Sequence, residues 1–136
     1  MAERTQAIQT YFDLAGGAEG MQKLAEAFYS RVLSDPVMIP LFRDPTEDHA
    51  GRMALWLGEF FGGPMEHSRQ RGGFYTVVEA HQNLHITDEQ RQHWINHMEA
   101  ACKEVKMPEE VMAFFTPHIL FGARAAQNMS RYQTYR

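Results

Sequence analysis

The sequence has little of three features that would place it in a specialised class of protein. It contains one cysteine, Cys102, so no disulfide can form within the chain and a reducing compartment is favoured. The net charge of −4 provides no basic surface of the kind that nucleic acid requires. No stretch approaches the roughly 18 consecutive apolar residues of a membrane helix. The sequence therefore predicts neither nucleic-acid binding nor membrane insertion.

The amino-terminal residues also lack a targeting feature. Residues 1–6 are polar and are not followed by the apolar stretch of a secretory signal. We therefore expect a cytoplasmic protein.

With 136 residues, of which 44% are hydrophobic, the chain is long enough to bury one core. We predict one domain over residues 1–136, in which residues 1–9 form a loosely ordered extension.

Apolar residues recur at the three- and four-residue spacing of α-helices through most of the chain. One helix is predicted over residues 20–33, after the helix-breaking pair Gly16-Gly17. A second begins near Thr46 and stops at residues 62–64, where two glycines precede a proline. Residues 64–74 are charged and contain Pro64, Gly72 and Gly73, so we predict a loop there.

The carboxyl-terminal half continues the helical pattern. A short apolar piece over residues 74–80 leads to His81. Thr87 and Gln90 have the spacing of a capping box, which predicts a helix running to about residue 105. A last helix extends from Pro108 to about residue 130, with a kink or local break expected at Pro117. No strand pattern or repeat is found, so the sequence predicts an all-α protein of five or six helices.

Seven histidines make metal binding the first chemistry to consider, since histidine is the commonest metal ligand. His81 and His85 are four residues apart, as are His93 and His97. Neither pair belongs to an HExxH motif, and a zinc site needs three or four converging ligands. A zinc or di-iron site held by protein side chains is therefore the weaker hypothesis.

His81 differs from the other histidines because it ends a short apolar helix. A bond from its Nδ1–H to a free backbone carbonyl would fix the ring and leave Nε2 to bind a metal. A partly buried surface histidine is the simpler alternative, and the residue taken alone favours that alternative.

Several short segments, read in chain order, resemble the truncated haemoglobins and most closely their group II. The resemblance covers residues 10–121 and is carried by these segments: Phe28-Tyr29, Leu41-Phe42, residues 56–64, residues 68–72, Ala80-His81 and His93-Trp94. It implies an all-α truncated globin fold, in which two antiparallel helix pairs sandwich a haem and the proximal helix is reduced to about a turn. The implied cofactor is haem b.

The resemblance also implies which residues face the haem. His81 matches the proximal iron ligand, Tyr29 the distal tyrosine, and Trp94 the group II tryptophan. Phe42 matches a corner position, and His49 matches a distal-helix position from which it could bond the ligand, act as a gate or coordinate the iron. The other expected haem contacts are Arg52 and Arg71, as partners of the propionates, and Met53, Trp56, Leu57, Val78, Leu84, Ile86 and Met98.

The resemblance therefore implies a haem-binding globin for oxygen, carbon monoxide and nitric oxide, with a five-coordinate or water-bound iron. Tyr29 and Trp94 carry hydrogen-bond donors that would slow oxygen release, which suits nitric oxide or peroxide detoxification better than bulk transport. No flavin or nicotinamide motif is present, so turnover would need a reductase or a small reductant, and enzymatic activity stays open. The alternatives are a haem-free helical binding domain and a gas-sensing subunit acting through a partner. Monomer and homodimer are both open.

Overall fold

The computed structural model describes residues 9–42, 44 and 46–131. The described residues form seven α-helices and one 3-10 turn, Ile39–Leu41, and contain no strand. The helices are α1 (Tyr11–Leu14), α2 (Gly17–Val32), α3 (His49–Phe60), α4 (Glu66–Arg71), α5 (Phe74–His81), α6 (Asp88–Glu104) and α7 (Glu109–Met129). The predicted all-α class is confirmed. The predicted extension over residues 1–9 lies, apart from residue 9, outside the described residues.

The core forms where α2, α6 and α7 bring their apolar stripes together. Helix α2 packs against both α3 and α6, and α7 packs against α6 and α5. Leu24, Phe28 and Val32 of α2 are fully buried, as is Met98 of α6. Within the part of the chain described, no helix combines the length and the apolar character needed to span a membrane.

Capping boxes fix the start of two helices. The predicted capping box of α6 is present: Gln90 N–H donates to Thr87 Oγ1 at 3.0 Å, and Thr87 N–H donates to Gln90 Oε1 at 2.9 Å. A second box, between Thr10 and Asp13, starts the four-residue α1. This short helix is one reason why the structure has more helices than the five or six predicted.

Helix α4 corrects the prediction that residues 64–74 form a loop. Its glutamate, arginine and glutamine residues have good helix propensity, and Glu66 accepts hydrogen bonds from Arg69 and Gln70. The Glu59 carboxylate of α3 also accepts from Ser68 N–H at 2.7 Å, which ties the new helix to its neighbour. The glycine that suggested a loop, Gly72, instead ends the helix with φ at 87°.

Helix α7 runs through Pro117 without interruption, so the local break expected there is absent. The buried residues Val111, Phe115, Ile119 and Ala123 are spaced by four and form one stripe on both sides of the proline. A proline inside a helix costs about 3 kcal/mol, and burying four apolar side chains along one stripe outweighs that cost.

The end of α3 is closed by the Gly62-Gly63 pair. Gly62 has φ at 94°, a conformation that favours glycine, and a Cβ on Gly63 would lie 2.6 Å from the ring of Phe12. Phe12 N–H also donates to Phe61 O at 2.9 Å. The glycines therefore let α1 pack directly against the end of α3.

Candidate functional site

Helix α5 positions His81 at its last residue. The His81 Nδ1 lies 2.7 Å from the carbonyl oxygen of Val77, one turn earlier. Since a carbonyl can only accept, Nδ1 carries the proton, and Nε2 is left as the nitrogen with a lone pair. The side chain is half-buried. The bond expected from the sequence is present, and the ring is fixed in the tautomer that can bind a metal through Nε2. Helix α5 has eight residues, about two turns, and is longer than the resemblance implied.

The segment after His81 is held by the end of α7. Asn83 and His85 both have positive φ, at 68° and 50°. His85 N–H donates to Ser130 O at 3.1 Å, and Ile86 N–H donates to Ser130 Oγ at 2.9 Å. The Ser130 hydroxyl donates in turn to Gln127 O at 2.6 Å. Ser130 thus fixes the backbone that follows the candidate ligand, a role that sequence reasoning missed because the partners are 44 residues apart.

A second group of residues, the distal ring cluster, consists of Phe28, Tyr29, Phe42, His49 and Trp94. The Phe28 ring meets Tyr29 at 4.9 Å and Trp94 at 5.4 Å between centroids, both edge to face. Tyr29 also contacts Phe42 at 5.8 Å and stacks on His49 at 5.6 Å. Residues from α2, α3, α6 and the segment between α2 and α3 therefore converge, and the four predicted distal residues belong to one cluster.

The Tyr29 hydroxyl is protonated at neutral pH. Burial raises its pKa to about 12, and the positive charge of Arg52 opposes this shift to a smaller extent. A protonated phenol is a hydrogen-bond donor. Trp94, whose indole N–H can only donate, is the second donor-bearing ring in the cluster.

His49 occupies the first position of α3, where Asp48 caps the helix by accepting from Gly51 N–H at 2.8 Å. The His49 Nε2 lies 2.9 Å from the carbonyl oxygen of Asp44 and therefore donates to it. Contact of His49 with another ligand through Nε2 would require this bond to break.

Arg52 and Arg71 line one open cleft of about 330 Å³, together with Asp48, Gly51, Leu55 and Gln70. Arg52 Nη2 donates to Glu47 Oε1 at 2.8 Å, with both side chains partly exposed. Two guanidinium groups at one cleft suit an anionic group such as a carboxylate.

The remaining predicted haem contacts differ in burial. Leu57 and Met98 are buried in the core, at 4% and 0% exposure. Met53 and Trp56 are partly buried and pack against that core. Val78, Leu84 and Ile86 are half-buried.

His67 is a buried residue of this region that was not predicted from the sequence as part of the site. It is 6% exposed and contacts the Trp56 ring edge to face at 5.5 Å. Burial lowers the pKa of its imidazole. Among the described residues, its Nδ1 has no hydrogen-bond partner. A buried polar atom of this kind is rare in native proteins.

Three features define a small globin: the all-helical fold, the free Nε2 of His81 and the distal ring cluster with its hydrogen-bond donors. The chain belongs to the bacterial-like globin family, whose model matches residues 10–128. Family membership makes it a haem-binding globin for diatomic gases such as oxygen. This supports the haem-binding prediction over the haem-free domain that the sequence left open.

The relatives of the chain include group II truncated haemoglobins. Group 2 truncated hemoglobin YjbI of Bacillus subtilis (strain 168) is 27% identical over 115 residues, which cover 84% of this chain and 86% of the relative. A thermostable hemoglobin from the actinobacterium Thermobifida fusca is 30% identical, with a TM-score of 0.78 over 88% of this chain and 98% of that one. The truncated oxygen-avid haemoglobin from Bacillus subtilis is 27% identical, with a TM-score of 0.77 over 90% and 100%. The resemblance and the truncated globin fold predicted from the sequence are confirmed.

Proposed function

We propose that this globin binds oxygen tightly through haem b and serves redox chemistry rather than bulk transport, such as removal of nitric oxide with the bound oxygen or removal of peroxide with an external reductant. The observation that carries the proposal is the distal ring cluster, in which the donors Tyr29 and Trp94 both pack on Phe28. A similar solved structure, from Bacillus subtilis, is described as oxygen-avid, in line with the proposal.

The residues present fit a haem held without covalent attachment. His81 offers Nε2 because Nδ1 is bonded to Val77, as an axial ligand with an oriented ring requires. Thioether attachment uses a C-x-x-C-H motif, whereas the sequence has one cysteine, Cys102. When bound, haem supplies an iron atom to which diatomic gases add. We assign His81 as its axial ligand and Arg52 and Arg71 as partners of its propionates.

The residues of the distal ring cluster would then set the rate at which bound oxygen dissociates. Tyr29 remains protonated because burial raises its pKa to about 12, so it donates a hydrogen bond toward any ligand that carries partial negative charge. Trp94 donates a second bond. Hydrogen bonds to charged groups are worth about 1.5–3 kcal/mol each, so two of them retain a ligand strongly. Phe42 has no donor and keeps the cluster apolar.

His49 is assigned the role of a gate. Its Nε2 is bonded to Asp44 O at 2.9 Å and its ring stacks on Tyr29. Since Asp44 is exposed and Tyr29 is not, a swing of His49 toward solvent would open a path to the Tyr29 hydroxyl. While His49 Nε2 holds its bond to Asp44 O, this nitrogen would not be available to coordinate the iron of a bound haem.

The proposal is tested by mixing the ferrous, oxygen-saturated protein with one equivalent of nitric oxide. The expected products are one nitrate and one ferric haem per chain, because the iron supplies the single electron that nitrate formation from oxygen and nitric oxide requires. Catalytic turnover then needs an external reductase or small reductant. Rapid release of free oxygen without nitrate would refute the redox role and leave oxygen storage or transport as the function.

A further inference from the structure

A cluster of three metal-ligating side chains lies outside the residues assigned to haem. Asp35, two residues after α2 is capped, accepts at Oδ2 from His93 Nδ1 at 2.7 Å and from His97 Nε2 at 2.6 Å. The three ligand atoms all lie within 4.8 Å of one another. We refer to these residues as the Asp35 triad. The sequence indicated only two of its three members, the histidines that lie four residues apart.

The triad is held in place from both sides. His93 and His97 are one turn apart on α6, so they share a face. The Asp35 Oδ1 accepts from Val37 N–H at 2.9 Å, which fixes the carboxylate plane. The Asp35 backbone is bonded as well, with its N–H donating to Val32 O at 3.1 Å and its carbonyl accepting from Met38 N–H at 2.9 Å. Such outer bonds orient ligands in metal sites.

We propose that the Asp35 triad binds a divalent first-row transition ion, with Zn²⁺ as the reference ion. Two imidazoles and one carboxylate suit zinc and its neighbours, whereas calcium and magnesium prefer oxygen ligands. Zinc–nitrogen bonds of about 2.0–2.1 Å place tetrahedral ligand atoms about 3.3 Å apart. The ring nitrogens and Oδ2 reach that spacing by movements of about 1 Å or less, so ion binding would keep the backbone in place.

The protonation of the triad allows a metal ion to bind. In the structure each histidine donates its proton to Asp35, which fixes the tautomers. Metal binding through His93 Nδ1 and His97 Nε2 would require each ring to carry its proton on its other nitrogen. The histidine side chains are 33% and 22% exposed, which gives an ion a way in and leaves room for water at the remaining coordination positions.

The test uses the haem-loaded protein, free of any affinity tag, dialysed against micromolar Zn²⁺ with the bound metal measured per chain. His93→Asn and His97→Gln each replace the ligating nitrogen by an amide N–H at a similar position. They therefore keep a donor to Asp35 while removing the metal ligand. His118→Gln, on the exposed side of α7, is the matched control.

We expect one Zn²⁺ per chain in the wild type and in His118→Gln. The affinity should fall at least about tenfold in His93→Asn and in His97→Gln, since loss of even an outer-shell partner typically costs 10- to 100-fold. Zinc should also raise the Tm of the wild type but not that of the two triad variants. The haem absorption spectrum and circular dichroism confirm that each variant is folded. Absence of zinc binding by the wild type, or equal binding by a folded triad variant, would overturn the proposal. Asp35→Asn supplies a third test if one histidine variant does not fold.

Discussion

The carbonyl oxygen of Val77 accepts the Nδ1 proton of His81 across one turn of α5, at 2.7 Å. The candidate iron ligand is therefore oriented by its own helix, and its tautomer is fixed before any haem is bound. The Ser130 hydroxyl supports the segment that follows it.

The first prediction concerns this histidine. His81→Gly removes the proposed axial ligand, so the absorption spectrum of the haem-loaded protein should shift and haem affinity should fall by at least about tenfold. Free imidazole added to the variant should restore the wild-type spectrum, because it supplies the missing nitrogen. His85→Gly is the control, since its positive φ of 50° accommodates glycine. An unchanged spectrum in His81→Gly would remove this residue from the proximal position.

The second prediction concerns the distal donors. Tyr29→Phe keeps the ring that packs on Phe28 but removes the hydroxyl. A hydrogen bond to a partly charged ligand is worth about 1.5–3 kcal/mol, so the oxygen dissociation rate should rise at least about tenfold. Stopped-flow displacement of oxygen by carbon monoxide measures this rate. Trp94→Phe should give a second increase of similar size, and rates equal to wild type in both variants would exclude these residues as ligand donors.

The helices were predictable from the sequence wherever a strong local signal exists. Periodic apolar residues and the Thr87–Gln90 box predicted α2, α3, α6 and α7 nearly to their ends, and the ordered segments carried the family resemblance. Helix α4 was missed because its stability depends on Glu59 of a different helix, which no local pattern shows. The break predicted at Pro117 is absent because buried residues on both sides of the proline keep α7 helical through tertiary packing.

The same difference between local and long-range contacts applies to the candidate site. The bond between His81 and Val77 is local, four residues apart, so the position of His81 at a helix end was enough to predict it. By contrast, Ser130 bonds a partner 44 residues away, and outside the site Asp35 bonds His93 across 58 residues. Long-range polar contacts of this kind have no sequence period, and only the fold reveals them.

The third prediction is a pH dependence. The Tyr29 pKa is raised to about 12, above its unfolded value of about 10. The folded state therefore holds this proton more tightly, and its contribution to stability is complete below about pH 10 and is lost as pH rises toward 12. Phenolate absorbance should show one of the five tyrosines titrating late, and Tyr29→Phe should abolish that late step. Titration of all tyrosines near pH 10 in the folded protein would contradict the buried hydroxyl.

The fourth prediction tests the support of the proximal segment. Ser130→Ala removes the acceptor of the half-buried Ile86 N–H, and Ser130 itself is fully buried. An unsatisfied buried group costs about 1–3 kcal/mol, so the free energy of unfolding measured in urea should fall by about that amount. Ser34→Ala removes a comparable hydroxyl bond, to Ser30 O at 2.9 Å, on the exposed surface. That control should change stability by less than about 0.5 kcal/mol, and equal losses in both variants would show that Ser130 has no special role.

The fifth prediction concerns Cys102, the single thiol. It is 1% exposed, and burial, together with the negative charge of Glu99, raises its pKa to about 12. Since the thiolate is the reactive form, both access and ionisation oppose alkylation, and iodoacetamide should modify Cys102 only when the structure opens. The rate of alkylation should then rise with urea concentration in parallel with unfolding. The control is the double variant Cys102→Ser, Ser34→Cys, whose single thiol lies on the surface and should react at once. Modification of native Cys102 at the rate of that surface thiol would mean that the α2–α6–α7 core opens readily. A core that opens so readily could not hold the distal ring cluster in a single arrangement.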